Sequence, residues 1–236
     1  MATSRLPLFV LGPDLMPMSS TSLRVFEPRY KQMMDDCILD SKPFGYITYD
    51  PESDDLGGWT QPAKYGVLVE IEDYEESGSN ILISVISGRR FRATEIIQPV
   101  LENDVVGTHF PTVDELMEKA GAPPDGKLYL RADVEVLSPP DVDYAHEAFT
   151  TFLDLLSPAR QILQMSSMYK GQILEFKEPS AYNDDLDRAD LLWKVCSALC
   201  YDVYLQQEML SQISFSAVMQ ICTNKVVEIL GRIEEE

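Results

Sequence analysis

The chain has 236 residues, of which 45% are hydrophobic and 25% are charged, and its 39 acidic and 19 basic residues leave a net charge of −20 at pH 7. This charge argues against a nucleic-acid partner, because phosphate neutralisation by Lys and Arg drives such binding, and against docking on an anionic membrane surface. No stretch approaches the ~20 apolar residues that span a bilayer, so we expect no membrane insertion.

The first half of the chain is predicted to be rich in strands. Alternating or continuous apolar runs bounded by turn residues predict seven of them: Leu6–Val10, Leu23–Phe26, Phe44–Tyr49, Tyr65–Glu72, Ile81–Ile86, Gly88–Ile97 and Leu130–Val136. One amphipathic helix interrupts this series. It begins at Glu27-Pro28, since proline is tolerated in a first turn, and ends before Pro43.

After Ser138-Pro139-Pro140 the apolar period changes from two to about 3.6 residues, which predicts helices. One helix contains Phe149–Leu156, and a second begins with Ser157 as N-cap and Pro158 at the first helical position. A polar loop, 176–185, precedes a long helix through Leu192–Val203 that is capped by Asp185 or Asp187; the last helix contains Val218–Ile229. The sequence therefore predicts an α+β protein with a β-rich domain, 1–138, and a helical domain, 139–236.

No motif predicts catalysis, a cofactor or a metal. Gly121–Leu128 has the spacing of a phosphate-binding loop but lacks the following Ser or Thr and contains two prolines, so it is interpreted as a turn before a strand. The histidines, His109 and His146, have no nucleophile nearby in sequence and are interpreted as surface or cap residues. The four cysteines lie among helical apolar residues without metal-ligand spacing, which indicates a reducing compartment.

Several side chains are candidates for binding a partner. Arg89, Arg90 and Arg92 form the densest basic cluster, which could hold a carboxylate but is interpreted first as outward-pointing residues paired with neighbouring acids. Trp59 lies in an acidic loop, and two interpretations stay open: a contact aromatic or a side chain folded back on the β-domain. Flexible methionines suit varied clients; the candidates are Met16, Met18, Met165 and Met168, whereas the spacing of Met33 and Met34 favours the core.

Charged residues are packed into the predicted joint between the second strand and the first helix. Glu27 lies between Arg24 and Arg29, and Tyr30 follows. Because buried charges must be paired, we interpret these residues as a buried ionic cluster that supports the architecture of the joint.

This joint and five other segments resemble the Lon-protease N-terminal domain, also called the LON substrate-binding domain. The resemblance covers roughly the first 137 residues through Leu6–Phe9, Leu23–Tyr30, Phe44-Gly45, Tyr65–Ile71, Gly88–Arg92 and Ala132–Leu137. Trp193–Leu210 is similar, more loosely, to the helical part of stand-alone LON proteins of cyanobacteria and plastids. The segment 15–20 and the long loops 50–64 and 105–127 depart from the family pattern.

The resemblance implies a PUA-like mixed β pseudo-barrel followed by a helical bundle. It also implies a non-catalytic protein that binds polypeptide clients as a substrate receptor, adaptor or assembly factor, since neither the ATPase nor the Ser-Lys peptidase of Lon is recognisable. A fixed structural subunit of a larger complex is the alternative, and an unrecognised hydrolase is the third reading. The cytoplasm or the chloroplast stroma fits the reduced cysteines; partner and oligomeric state are not predicted.

Overall fold

The computed structural model describes residues 4–56, 58–102 and 111–234. They form two compact units. The first contains the described residues up to Gly12 and from Ser22 to Leu137, and the second contains Pro13–Thr21 and the described residues from Ser138 onward. The short segment Pro13–Thr21 thus belongs with the helices, which its local sequence pattern does not indicate. The domain boundary at residue 138 stays a prediction.

The first unit is built on a six-stranded mixed sheet that closes on itself. The strands are β1 (Ser4–Leu11), β2 (Ser20–Val25), β3 (Phe44–Tyr49), β4 (Pro62–Ser77), β5 (Asn80–Ile97) and β6 (Arg131–Val136). Their order is β2-β5-β4-β3-β1-β6, and a further pairing of β5 with β6 closes the ring. Only the β1–β3 pairing is parallel among those whose register is described. The predicted α+β class with a mixed β pseudo-barrel is confirmed.

Apolar side chains from alternate strand positions fill the barrel. Leu8 and Phe91 are fully buried at its centre, where they pack with Leu6, Ile47, Trp59, Leu130, Ala132 and Val134. Close packing demands a missing side chain at Gly66, because a Cβ there would lie 2.6 Å from the Phe91 ring and 2.5 Å from the carbonyl oxygen of Tyr46.

Two helices accompany the barrel. Helix α1 (Pro28–Asp40) begins after Glu27 with Pro28 in its first turn, as predicted, and buries Tyr30, Met33, Met34 and Cys37. Helix α2 (Val113–Lys119) lies where the sequence analysis expected only a loop. The missed signal is a capping box, in which Thr112 and Glu115 satisfy each other's backbone N–H groups.

The two predicted strands Ile81–Ile86 and Gly88–Ile97 are one continuous strand, β5. Gly88 does not break it, because the strand absorbs the irregularity where Val67 pairs with Arg90 and Val69 with Ser87. Such bulges bend a strand without ending it.

The second unit contains five α-helices: α3 (His146–Leu156), α4 (Arg160–Tyr169), α5 (Asp185–Leu199), α6 (Val203–Ser211) and α7 (Phe215–Glu234). Its apolar stripes meet in a core in which, for example, Trp193 contacts Phe215 edge-on at 6.0 Å between ring centroids. The segment Pro13–Thr21 is held here by Gln206, whose side-chain amide donates to the carbonyl of Leu15 at 3.0 Å. Among the helices of the described ranges, none combines the length and the apolar composition that a bilayer span requires.

Three helix termini differ from the prediction. Ser157 does not cap α4; it opens a 3-10 turn, 157–159, that follows α3 directly. The N-cap of α5 is Asp184, which accepts from the N–H of Asp187. The long helix through Leu192–Val203 is two helices, because Asp202 caps α6 by accepting from the N–H of Leu205 at 2.8 Å. Local caps thus interrupt an apolar stripe that continues across the break.

Candidate functional site

The ionic residues of the strand–helix joint form a partly exposed pair. The Arg29 guanidinium donates to the Glu27 carboxylate at 2.7 Å, and these side chains are 22% and 34% exposed. Arg24 is exposed and forms no ion pair within the described part of the chain. The predicted buried cluster of three charges is therefore a dyad at the surface of the joint.

Aromatic rings hold the arginine of this pair. The guanidinium carbon of Arg29 lies 4.3 Å from the ring centroid of Tyr30 and 4.6 Å from that of Trp59. The Tyr30 ring in turn stacks on Phe9 at 4.1 Å, and its buried hydroxyl donates to the carbonyl of Val10 at 3.2 Å. Burial raises the pKa of Tyr30. The Glu27–Arg29 pair and its ring contacts therefore have an architectural role, since these groups face one another.

Trp59 is folded back on the barrel, the second of its two interpretations. Its side chain is buried in the barrel core, and its indole N–H donates to the carbonyl of Leu101 at 2.9 Å. Little of the ring is left for a partner to contact.

The three arginines of the basic cluster on β5 differ in burial and in their partners. Arg90 is only 4% exposed, and burial lowers its pKa to about 10. Arg92 pairs with Glu135 on the neighbouring strand at 2.5 Å, as the interpretation of paired outward residues predicted. Arg89 is exposed. The three arginines therefore do not present one common surface, and any role of Arg89 in binding stays a prediction.

The methionine candidates also separate. Met16 is fully buried, whereas Met18 is 39% exposed and has a left-handed backbone with φ 59°. Met33 and Met34 are core residues of α1, as their spacing predicted. Met165 and Met168 stand out on α4, with 65% and 72% of their surface exposed.

Helix α4 presents an exposed apolar face in the second unit. Met165, Met168 and Tyr169 follow one another at positions i, i+3 and i+4, so they share one face of the helix. Tyr169 is 97% exposed, and Ile173, just beyond the helix, is 73% exposed. We call Met165, Met168 and Tyr169 the α4 apolar face. Both methionines were among the candidates predicted from the sequence. Tyr169 was missed although it has the same helical spacing, and Ile173 was missed because it lies beyond the helix.

Polar contacts on the opposite side of α4 hold this face outward. The Ser166 hydroxyl donates to the carbonyl of Ala198 at 2.6 Å. The Lys170 ammonium donates to the carbonyls of Ser197 and Cys200, so it binds the carbonyl end of α5, where a cation is favoured. Burial lowers the pKa of Lys170. Helix α4 is thus anchored along one side and open along the other.

Catalytic and metal chemistry find no assembled site in the residues described. His146 is the first residue of α3, and its Nδ1 lies 3.3 Å from an Arg188 guanidinium nitrogen; His109 lies outside the described residues. All four cysteines are free and buried. The described ranges contain no group of three His, Cys, Asp or Glu that could hold a metal ion.

Comparisons with known proteins find one family model and solved structures that match most of the chain. The model of the ATP-dependent protease La (LON) substrate-binding domain family matches residues 5–224. A solved Lon N-terminal domain protein from Xanthomonas campestris is 18% identical, with a TM-score of 0.55 and coverage of 97% of this chain and 98% of that one. The N-terminal domain of the Mycobacterium avium complex Lon protease is 11% identical, with a TM-score of 0.57 and coverage of 95% and 98%. No curated protein matches the chain.

Proposed function

Because the chain belongs to the LON substrate-binding domain family, we propose that it binds polypeptide clients through the α4 apolar face and acts as a substrate receptor or adaptor. The carrying observation is that face itself, with Met168 72% and Tyr169 97% exposed. Contiguous exposed apolar side chains are costly in water and mark interaction sites. Unbranched methionines repack against varied side chains, which suits clients of varied sequence.

The proposed role is binding without catalysis. The matched family is a substrate-binding domain, and this supports the proposal. Incubation with unfolded polypeptides and small esters should give no turnover. Turnover that disappears on His146→Ala would contradict the proposal and favour the hypothesis of an unrecognised hydrolase.

The α4 apolar face is tested by direct binding. A labelled, permanently unfolded polypeptide is titrated with the protein while fluorescence anisotropy is followed. The double variant Met168→Ser/Tyr169→Ser should weaken binding about tenfold, since truncated aromatic anchors cost ~1–2 kcal/mol. The matched control is Leu186→Ser/Ile213→Ser, which removes exposed apolar side chains elsewhere in the same unit and should leave binding unchanged. Equal affinities of the wild type and the α4 variant would refute this site.

A pull-down from the native source separates an adaptor from the alternative, a fixed structural subunit. Many weakly held clients, lost together on Met168→Ser/Tyr169→Ser, are expected for an adaptor. A single stoichiometric partner would instead favour the fixed subunit. We further propose a reducing compartment, the cytoplasm or the chloroplast stroma, which the free cysteines support.

A further inference from the structure

A groove of about 500 Å³ lies in the first unit, between the end of α1 and the outer half of β4. Volumes of this order are typical of ligand sites. Its apolar lining consists of Cys37, Ile38, Pro43, Ile71 and Tyr74, and its acidic lining consists of Glu70, Glu72 and Asp73. The groove therefore combines apolar surface with a row of carboxylates, and no residue of the α4 apolar face contributes to it.

The carboxylates of this groove have no cation partner among the described residues. Glu70, Glu72 and Asp73 are exposed, and none of them forms an ion pair with another residue in the described ranges. Lys42, which also lines the groove, is already paired with Asp40 at 2.7 Å. The carboxylates extend the negative field along β4 and attract cations that enter the groove.

The acidic row continues onto α1. The pKa of Asp35 is raised by its partial burial and by the neighbouring charges of Asp36 and Glu76. Of these, Asp36 is engaged by Lys127 at 2.6 Å, whereas Glu76 has no cation partner among the residues with described placement. An acidic rim thus runs from Glu70 through Glu76.

Among the described residues, the backbone of β4 at the groove forms an unpaired sheet edge. The register of β3 with β4 ends at the pair Phe44–Val69, whereas β4 continues to Ser77 and there pairs with β5 alone of the described strands. Strand edges of this kind accept an extended peptide, since main-chain N–H and C=O groups are left for another strand. A bulge between Ile71 and Asp73 adds Glu72 to the strand, and bulges redirect side chains.

The spacing of the charges fits a polypeptide rather than an ion. A metal needs several ligands converging on one point, and the described ranges hold no such group of three. Carboxylates distributed along a strand instead match cationic side chains distributed along a chain. Tyr74, which is 51% exposed, offers a ring for an apolar or cationic side chain of that chain.

We propose that this groove binds a basic segment of a client polypeptide, with Lys or Arg alternating with apolar residues, as an added strand along Glu70–Tyr74. The inference rests on the proposed function because it takes the ligand to be a polypeptide. It adds a second site, which selects clients by charge and lies on a different unit from the α4 apolar face.

The test uses two labelled short peptides, one alternating Lys and Leu and the other alternating Glu and Leu. The full chain should bind the basic peptide at least ~10-fold more tightly, and added salt should weaken that binding. The double variant Glu72→Lys/Asp73→Lys should weaken binding of the basic peptide about tenfold or more. The control Asp154→Lys/Glu178→Lys makes the same change in net charge at exposed acids of the other unit and should weaken it much less. Equal loss in both variants would assign the binding to overall charge and overturn the groove.

Two further binding experiments test the pairing with the edge of β4 and the contact with the Tyr74 ring. N-methylation of alternate residues of the basic peptide should abolish binding if the peptide pairs with the backbone of β4, because it removes the donors. Tyr74→Ser should weaken binding, whereas the control Tyr49→Ser, at a tyrosine 41% exposed on β3, should not. Unchanged affinities in both arms would overturn the added-strand geometry.

Failure of this inference is distinguishable from failure of the proposed function. One outcome overturns only the groove assignment. In it, the wild type binds the unfolded polypeptide and Met168→Ser/Tyr169→Ser weakens that binding, whereas Glu72→Lys/Asp73→Lys leaves the affinity for the basic peptide unchanged. If neither the unfolded polypeptide nor either short peptide binds the full chain, both are overturned.

Discussion

Replacement of the two paired residues of the strand–helix joint, Glu27 and Arg29, should have unequal effects on stability. Glu27 contributes one ion pair, whose partners are 22% and 34% exposed, and such pairs stabilise by ~0.2–1 kcal/mol. Its side chain makes no capping hydrogen bond to α1. We therefore expect Glu27→Ala to lower the free energy of unfolding by at most about 1 kcal/mol, less than the ~3 kcal/mol that loss of a buried partner would cost.

Arg29→Ala should cost more, because the same side chain also contacts two rings. The guanidinium carbon lies 4.3 Å and 4.6 Å from the ring centroids of Tyr30 and Trp59, and each contact contributes ~0.5–1 kcal/mol. Together with the ion pair this amounts to about 2 kcal/mol. The control is Arg5→Ala, which breaks a more exposed pair with Asp133 at 2.8 Å and should lower stability less than Arg29→Ala does, since water screens exposed ion pairs.

Urea denaturation of the single variants and of the Glu27→Ala/Arg29→Ala double variant measures these values. The double variant should be hardly less stable than Arg29→Ala alone, because Glu27 has lost its partner there. A cost for Glu27→Ala as large as that for Arg29→Ala would refute the assignment of stability to the ring contacts and would restore the buried ionic cluster.

Three further predictions concern packing, thiols and pH. Gly66→Ala should lower the free energy of unfolding by at least ~2 kcal/mol in urea denaturation, because its Cβ would meet the backbone and the Phe91 ring. The control Gly88→Ala should be nearly neutral, since its Cβ would have only one neighbour, at 3.9 Å. Similar costs for the two variants would contradict the barrel packing. A thiol reagent at pH 8 should label no cysteine in the native protein and four after denaturation, because burial raises the thiol pKa, to about 12 in two cases; rapid native labelling would contradict this burial. Hydrogen bonds from Ser216 hold the pKa of Asp143 in the folded protein below its ordinary 3.8. The ionised Asp143 therefore stabilises the fold above pH 3.8, and this contribution is lost as the pH falls through the lowered pKa of the folded state. Asp143→Asn should lower the Tm at pH 7 and reduce its fall in acid, and an unchanged pH profile would contradict the role.

Some features of this protein follow from local sequence alone. The strand Phe44–Tyr49 and the start of α1 at Pro28 have the predicted bounds, because a short run of aromatic and β-branched residues and the fixed φ of proline act over a few residues. The acidic character, the α+β class and the family resemblance were also predicted from the composition and from the order of the segments. In these cases local preference and global fold agree.

Tertiary structure decided which of the candidate side chains are exposed. The helical spacing of Met165, Met168 and Tyr169 identifies a stripe, but only the anchoring of Ser166 and Lys170 to the carbonyl end of α5 determines that the stripe faces outward. Exposure is a property of what packs against a residue, and those neighbours are distant in sequence.

Neighbours distant in sequence also determine that Trp59 is buried and that Glu72 lies at a sheet edge. The sequence left Trp59 open between surface and core, and its burial depends on strands from both ends of the first unit. The carboxylate of Glu72, which has no cation partner in the described ranges, lies at a sheet edge because the pairing of β3 with β4 ends at Val69 while β4 continues. Strand register joins segments far apart along the chain, so local periodicity predicts the strands but not where one outlasts its neighbour.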